Sequence, residues 1–403
     1  MSWTVHTFAP DALRVDPDRM RALAAAEAAL EGVDVDVIRP GEPVRITHVL
    51  DAVQPRIRPD GRAAFPTEGR AGEGVTNRIH DVAVLSCLDF PGEERPLHEQ
   101  DAIVDLAGPG AELAPFGKWT NVVLTFHPRE DAGHRAIDAA ARRVSLAAAE
   151  LVAEGTLAAE PVHSHTFERP AVQEGLPRVA ALIQLSDLGQ LYQLYLYGTP
   201  AGEAGLPRAV DPAEVMDGAI TAGEYHWAAI RNPTLFFQQS SLVRMLYREH
   251  GRRLDFAGVV LMRGYEQTAA DKARAAEAAA RAAADLEADG AVITTDAGGN
   301  SHTDSMLTCR ACERAGVRTA VIIAEETDLD ATEPILTDWV PEADCIVSTG
   351  NLEELVPVWR PERVLGGELL LDGTPAAEAE ISVRDYFGAA NQMGHLDLGA
   401  VSW

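Results

Sequence analysis

A run of glycine and polar residues between a predicted strand and a predicted helix is the most pointed chemical feature of the sequence. The run is Thr295-Asp296-Ala297-Gly298-Gly299-Asn300-Ser301-His302-Thr303-Asp304. Adjacent glycines let backbone N–H groups approach a ligand, and the N-terminus of the following helix favours an anion such as a carboxylate. The substrate-binding candidates here are Gly298, Gly299, Asn300, His302 and Asp304. The alternative is a plain strand-to-helix turn capped by Ser301 or Thr303. The run has neither the GxGxxG nor the Walker A pattern, so we predict no NAD or ATP site.

A second glycine-rich stretch spans residues 68–80 and carries three polar side chains, Glu73, Thr76 and His80. They can form a polar pocket, and an imidazole can transfer a proton near neutral pH. The alternative is a long surface loop. We therefore consider His80 a catalytic candidate and Glu73 and Thr76 substrate-binding candidates.

Two histidines, His163 and His165, are separated by one residue. On a strand their imidazoles would point to the same side. A metal site would need further ligands, and the sequence offers none at a recognisable spacing. We predict hydrogen-bonded surface histidines and no bound metal.

Lysine is rare, which limits one kind of covalent chemistry. Only Lys118 and Lys272 occur in the chain, so a Schiff-base lysine must be one of them. Because residue 272 falls in an Ala-rich helix that we predict to be exposed, Lys118 is the preferred candidate.

The four cysteines give no strong motif. Cys87 and Cys345 lie in apolar strand-like runs, where a reduced core thiol is expected. Cys309 and Cys312 form a CxxC without a second pair or histidines at zinc-finger spacing. A redox role and the packing of a helix face are both open for this pair.

Composition excludes several functions. The chain has 403 residues, 46% of them hydrophobic, and a net charge of −28. This length allows two or three domains, and the charge argues against a nucleic-acid partner, since phosphate contacts need clustered Lys and Arg. No run of about 18 apolar residues and no signal-peptide pattern is visible, so we expect no membrane interaction and a cytoplasmic location.

Two patterns of predicted elements must position these side chains. The first is mixed: helices over residues 16–31 and 136–154, strands over 33–38, 44–50, 83–87 and 121–126, and a strand pair over 178–185 and 191–197. The second alternates strands (256–262, 291–294, 318–324, 345–348) with helices (268–287, 303–315), which predicts a doubly wound parallel sheet. We expect an α/β fold with a mixed α+β N-terminal half over residues 1–210, a connecting segment over 211–254, and a doubly wound parallel-sheet C-terminal domain over 255–403.

The connecting segment contains Glu214-Val215-Met216-Asp217-Gly218-Ala219-Ile220-Thr221-Ala222-Gly223-Glu224-Tyr225. It resembles the processing site of the glycine/sarcosine/betaine reductase component B precursors, and Gly72-Glu73-Gly74 and Gly299-Asn300 are similar to that family too. In the family an Asn-Cys pair follows the glycine, the chain cleaves itself there, and the Cys becomes a pyruvoyl group that captures an amine. Here the pair is Glu224-Tyr225, and neither residue has the thiol or hydroxyl on Cβ that this chemistry needs. The resemblance therefore implies an uncleaved chain without a pyruvoyl cofactor.

The resemblance also implies a function. The chain would be the substrate-binding or catalytic subunit of a heteromeric oxidoreductase, with a component-B-like partner subunit that bears a thiol or selenol. The substrate would be a small amine or amino-acid-like compound, cleaved reductively at a C–N or related C–heteroatom bond. Glu224, Tyr225 and His226 would line the pocket and complete the catalytic candidates with His80.

Three alternatives stay open. The segment can be a closed connection with Tyr225 and Trp227 in a core. The chain can be a recruited lyase, hydrolase or transferase that uses a metal or acid–base chemistry at His80, His226 or His302. It can also be a non-catalytic scaffold for the partner subunit. We expect an oligomer in each case.

Overall fold

The computed structural model describes residues 2–69, 71–88, 101–168, 171–187, 193–223, 231–296, 298–327, 336–390 and 393. In this part of the chain the helices are α1 (Pro17–Ala25), α2 (His134–Ala153), α3 (Pro212–Met216), α4 (Thr234–Gln238), α5 (Ser241–Glu249), α6 (Ala269–Asp285) and α7 (Asn300–Arg314). The strands are β1 (Ser2–Phe8), β2 (Leu30–Ile38), β3 (Val44–Ile46), β4 (Val49–Val53), β5 (Arg56–Ile57), β6 (Gly74–Ile79), β7 (Val82–Leu88), β8 (Val104–Asp105), β9 (Thr120–Pro128), β10 (His163–Glu168), β11 (Arg178–Ser186), β12 (Gln193–Leu196), β13 (Thr199–Pro200), β14 (Arg208–Val210), β15 (Ile220–Gly223), β16 (Asp255–Gly264), β17 (Gly290–Thr294), β18 (Arg318–Glu325), β19 (Ile346–Asn351), β20 (Leu355–Val356), β21 (Arg363–Leu365) and β22 (Ile381–Ser382).

A mixed four-stranded sheet, in the order β2-β9-β7-β4, forms the frame of the first part of the chain. Strand β7 is buried at every position, because its side chains pack alternately into two hydrophobic cores. Val82 and Val84 pack with the apolar stripe of α2, and Leu85 packs in a separate cluster on the opposite face. A strand that is apolar on both sides has to be covered on both sides, which is why β7 is central.

A six-stranded sheet, in the order β14-β16-β11-β17-β18-β19, forms the second frame. Strands β16, β11, β17, β18 and β19 are parallel, and only the edge strand β14 is antiparallel to its neighbour. The predicted parallel sheet and the α/β fold are confirmed.

The predicted pairing of residues 178–185 with 191–197 is wrong. The first of these strands is β11, which pairs with β16 and β17 in the middle of the parallel sheet. The second is β12, which pairs with β13 and β15. Strand β11 is buried from Ala180 to Ser186, and a strand that is buried on both faces gains more from a central position than from an exposed hairpin. The domain boundaries stay a prediction.

Alternate residues of β11 face two different cores. Ala180 and Leu182 pack with α6 and α7, whereas Ala181 and Ile183 pack with residues of α3, β15 and α5. The segment that resembles a processing site therefore leads into the apolar core on one face of the parallel sheet.

Three element boundaries differ from prediction. Helix α1 ends at Ala25, six residues early, because the chain from Leu30 pairs with β9. The strand predicted over residues 44–50 is divided at His48, whose φ of 53° interrupts extended backbone. Helix α7 begins at Asn300, with Gly299 at φ 58° as its N-cap, so neither Ser301 nor Thr303 caps it.

None of the helices in the described ranges has the length and apolar character to cross a membrane.

Candidate functional site

The candidate catalytic residues Glu224, Tyr225 and His226 lie outside the described residues, but both flanks of their segment are described. Strand β15 ends at Gly223, and the chain is described again from Arg231. The Nη1 atom of Arg231 donates a hydrogen bond to the Gly223 carbonyl over 2.8 Å, and Arg231 is 1% exposed. The two ends of residues 224–230 are therefore held together in the interior.

The next residue, Asn232, connects this segment to the parallel sheet. Its backbone N–H and its Nδ2 both donate to Asp296 Oδ1, over 3.1 and 2.8 Å. The other carboxylate oxygen of Asp296 accepts from the backbone N–H of Ser186 over 3.0 Å. Ser186 ends β11, and Asp296 follows β17, so the segment meets the carboxyl ends of two neighbouring parallel strands. Ligands of doubly wound sheets bind at this edge.

A buried carboxylate from the other sheet reaches the same segment. Asp51 of β4 accepts hydrogen bonds from the backbone N–H and the hydroxyl of Thr234, over 2.9 and 2.6 Å. The Thr234 hydroxyl oxygen in turn accepts from the backbone N–H of Ala222, over 2.8 Å. Burial raises the pKa of Asp51 to about 6, against the opposing effects of Arg231 and of the Thr234 hydrogen bonds. Both frames of the fold thus contact the flanks of residues 224–230.

Gly223 lies in a crowded polar setting. A Cβ atom there would come within 2.7 Å of the Tyr195 ring, 3.1 Å of Arg142 Cδ and 3.4 Å of Asp138 Oδ2. The guanidinium of Arg142 lies 4.0 Å from the centroid of the Tyr195 ring, and burial lowers the Arg142 pKa. Only glycine lets the chain pass this close to all three side chains.

Asp217 connects the segment to the glycine-rich stretch over residues 68–80. It accepts hydrogen bonds from the Gly72 N–H over 2.7 Å, from the Thr76 hydroxyl over 2.8 Å, and from Arg58. Thr76 also accepts from Trp3 Nε1 over 2.9 Å. Burial raises the Asp217 pKa, and the neighbouring arginines oppose the shift. The structure thus brings Thr76 to Asp217 of the processing-site-like segment, and both belong to a closed, buried hydrogen-bond network.

Glu73 and His80 have different surroundings. The Glu73 backbone carbonyl accepts from Arg58 over 2.7 Å, next to the Asp217 network. His80 lies past the far end of β6, with Nδ1 2.8 Å from the exposed carboxylate of Asp81. The described contacts of His80 do not bring it to the flanks of residues 224–230.

The loop before α7 holds a carboxylate, as its sequence predicts for an anion, but the carboxylate belongs to the chain itself. Glu326 Oε2 accepts from the Gly299 N–H over 3.3 Å, and a Cβ on Gly298 would overlap Glu326. His302 is 0% exposed, with Nδ1 3.7 Å from Glu326 Oε2. Neither ring nitrogen has a hydrogen-bond partner within the described residues, and burial lowers the His302 pKa.

Asp304 forms a buried ion pair with a lysine that we predicted to be exposed. Lys272 Nζ lies 2.9 Å from Asp304 Oδ1 and donates to the Asn300 carbonyl over 3.3 Å. Lys272 is 8% exposed, whereas the side chain of Lys118 is 55% exposed and pairs with Glu112. The predicted exposure of Lys272 was wrong, because the first turn of α6 lies against the α7 loop, and the choice of Lys118 as a Schiff-base candidate stays a prediction. Burial raises the pKa of Asp304, against the effect of Lys272.

The burial of the cysteines differs in part from the prediction. Cys87 is buried as expected, but Cys345 is exposed, because it precedes β19 and faces away from the core. Cys309 and Cys312 are buried on α7, and burial raises the pKa of both thiols, that of Cys312 to about 12. A high pKa disfavours the thiolate that redox exchange requires, so packing of a helix face is the better interpretation. Across the described ranges, no group of three or more His, Cys, Asp or Glu side chains is arranged to hold a metal ion.

The sequence did not single out several residues that surround the segment, namely Asp51, Asp138, Arg142, Tyr195, Arg231 and Asn232. One signal was visible for Asp51, a carboxylate inside the apolar run Val49-Leu50-Asp51-Ala52-Val53. A charge in such a run has to find a partner in the interior.

Comparison with known proteins shows the family to which this chain belongs. The family described as glycine/sarcosine/betaine reductase component B subunits matches residues 3–389, and this chain belongs to that family. It is 32% identical to the sarcosine reductase complex component B subunit alpha of Peptoclostridium acidaminophilum, over 96% of this chain and 89% of that protein. It is 28% identical to the glycine reductase complex component B subunits alpha and beta of Acetoanaerobium sticklandii, over 97% and 94%. The betaine reductase complex component B subunit alpha of P. acidaminophilum is 30% identical, over 83% and 78%. No solved structure matches the chain. The resemblance drawn from the sequence is confirmed.

Proposed function

We propose that this protein is an uncleaved, pyruvoyl-free subunit of a component-B-type reductase complex. It binds a small amine or amino-acid-like substrate, and a partner subunit with a thiol or selenol cleaves a C–N or related C–heteroatom bond reductively. The observation that carries this proposal is the position of the processing-site-like segment. The chain that follows it is bonded to the carboxyl edge of the parallel sheet through Asn232 and Asp296. Directly after Gly223 it has Glu224-Tyr225, where the resemblance places Asn-Cys.

The side chains of the segment determine which chemistry is available. Glu224 can bind an ammonium group, and Tyr225 and His226 can donate hydrogen bonds or a proton. None of them can form a carbonyl that captures an amine. Substrate recognition therefore rests on charge and hydrogen bonding rather than on a covalent Schiff base.

His302 supports a ligand near the α7 loop. It is a fully buried imidazole without a hydrogen-bond partner in the described residues, one helical turn from Gly299. A buried polar group without a partner costs about 1–3 kcal/mol, which a substrate oxygen or N–H would offset. With Asn300 and Asp304 it forms the substrate-binding part of the proposal, and Glu73 and Thr76 at the Asp217 network stay separate substrate-binding candidates.

The first test is the integrity of the chain. Intact-mass measurement of the protein from its native host should give one species near 43.2 kDa. Two fragments that divide close to residue 224 would overturn the uncleaved chain and, with it, the absence of a pyruvoyl group.

The second test separates a catalytic subunit from a scaffold. The complex is isolated through the chain, and release of the amine product is measured with a dithiol reductant. Replacing Tyr225 with Phe or Glu224 with Gln should lower turnover at least tenfold with unchanged assembly, and Glu203→Gln, an exposed glutamate, serves as the control. Unchanged turnover in both segment variants supports the scaffold. Turnover by the isolated chain with a metal, and without a thiol partner, supports a recruited enzyme.

A further inference from the structure

We propose that two copies of this chain pair through the edge strand β10 and form a symmetric dimer with one continuous sheet. Strand β10 ends the sheet order β10-β1-β6-β5, and its inner side pairs with β1 over six residues. Among the described residues, no strand pairs with its outer side. That side therefore presents backbone N–H and C=O groups to a second strand. The dimer does not depend on the reductase chemistry proposed above.

Strand β10 lacks the features that keep an edge strand from pairing. Natural edges are protected by lysine, by proline, by a bulge or by a covering element. The residues His163–Glu168 include neither lysine nor proline, their pairing with β1 has no register shift, and all but Phe167 are exposed. In the sequence, Pro161 and Pro170 flank this stretch. Because proline has no N–H to donate, they limit a ladder to the residues between them.

Exposed apolar side chains are concentrated around the same strand. Val162 directly precedes β10 and is 61% exposed, and Leu157 and Val172 are 54% and 66% exposed. These are three of the seven large hydrophobic side chains that are exposed in the described part of the chain. Removing such side chains from water favours association. The edge therefore combines unpaired backbone groups with apolar surface.

The symmetry of the dimer restricts its register. In an antiparallel pair related by a two-fold axis, both copies keep the same face of the sheet on the same side. A residue can then be opposite only a residue that is an even number of positions away. A register centred on His165 pairs residues 162–168 of both copies and leaves both prolines outside. Val162 already continues the ladder with β1, since its N–H donates to the Thr7 carbonyl over 2.8 Å.

This register brings compatible side chains together on both faces of the sheet. On one face, Ser164 is opposite Thr166 of the second copy, twice by symmetry, and such hydroxyl pairs are favourable. On the other face, His163 is opposite Phe167 of the second copy, which makes an aromatic pair. The rings of His163 and His165 lie on the same side of β10, as predicted from their spacing, with centroids 6.4 Å apart.

The charges at this edge permit the contact in spite of the acidic composition. The net charge of −28 makes most encounters between two copies repulsive. Glu168 is the only acidic residue of β10, and in this register it is opposite Val162 and not another carboxylate. A register centred on Ser164 would instead place Glu160 opposite it. Burial and neighbouring cationic groups lower the His165 pKa, so the two central rings are uncharged at neutral pH.

Sedimentation velocity of the full chain measures the dimer directly. A ladder of this length buries less than the usual stable interface of about 1,200–2,000 Å², so we expect a dissociation constant of about 10 µM. The chain is therefore measured at concentrations on both sides of this value, at neutral pH.

Two matched double variants test the register. Ser164→Lys with Thr166→Lys places lysine opposite lysine, whereas Ser164→Lys with Thr166→Glu places lysine opposite glutamate. Both variants lose the same hydroxyl contacts with β1, and lysine is common at natural sheet edges, so they differ only in the charge at residue 166. Circular dichroism checks that both are folded.

The variant with two lysines should dimerise about tenfold less tightly than the variant with lysine and glutamate. This corresponds to about 1.4 kcal/mol over the two symmetric pairs. A native chain that stays monomeric at about 200 µM, twenty times the expected dissociation constant, would overturn the proposal. Equal dimerisation of the two double variants would overturn it as well.

Discussion

Replacing Asp51 with Asn should change the pH dependence of stability in a defined direction. The pKa of Asp51 is raised from 3.8 to about 6 in the folded chain. The folded state therefore binds more protons than the unfolded state across this window. Since stability then falls as pH rises, the native protein should lose stability between about pH 4 and 6 through this one group.

The size of the effect follows from the shift. About two pKa units at 1.36 kcal/mol each give about 3 kcal/mol. Asp51→Asn carries no titrating group at this position, so it should lack this loss. The difference in unfolding free energy between native protein and variant should move by about 3 kcal/mol in favour of the variant from pH 4 to 7, and stay level above pH 7.

The assay is urea unfolding of both proteins at half-unit pH steps, followed by circular dichroism and fluorescence. The contributions of the other titrating groups to the unfolding free energy are the same in both proteins, so they cancel in the difference. The control Asp18→Asn changes a carboxylate that is 95% exposed, and its difference should stay within about 0.5 kcal/mol at every pH. If the Asp51→Asn difference does not vary with pH, the burial argument for Asp51 is refuted.

Three further substitutions test contacts of the site. Lys272→Met should lower the free energy of unfolding by about 3 kcal/mol, because it leaves Asp304 buried without its cation. Gly223→Ala should cost about 1–3 kcal/mol in the same measurement, because the new methyl group overlaps the Tyr195 ring. Asp296→Asn should cost about 1–3 kcal/mol and speed proteolytic cleavage within residues 224–230, since an amide donor then faces backbone N–H groups.

Each of these has a matched control in the chain. Lys118→Met removes an exposed lysine and should cost under about 1 kcal/mol. Gly32→Ala adds a methyl group where no atom lies within 4 Å and should be close to neutral. Asp285→Asn changes an exposed carboxylate at the end of α6 and should leave the cleavage rate unchanged. A variant that behaves like its control contradicts the contact assigned to it.

Much of the architecture was predictable because hydrophobic periodicity is a local property. The alternation of strands and helices after residue 255 predicted the parallel sheet, and the spacing in residues 136–154 predicted α2 almost to its ends. Strand order was not predictable in the same way. Strand β11 is as apolar as a central strand should be, but nothing near it in sequence shows that its neighbours are β16 and β17.

By itself the sequence determined the family and the α/β class, and it led to the proposal that Glu224-Tyr225 stands where the family has Asn-Cys. Only the tertiary structure decided which polar groups meet around that segment. Asp51 and Thr234 are 183 positions apart, and Asp296 and Asn232 are 64 apart, yet both pairs are hydrogen-bonded in the interior. Lys272, which we expected at the surface, is likewise a buried partner of Asp304. The reason is physical: a buried charge must find a partner wherever packing places one, and packing brings together distant parts of the chain.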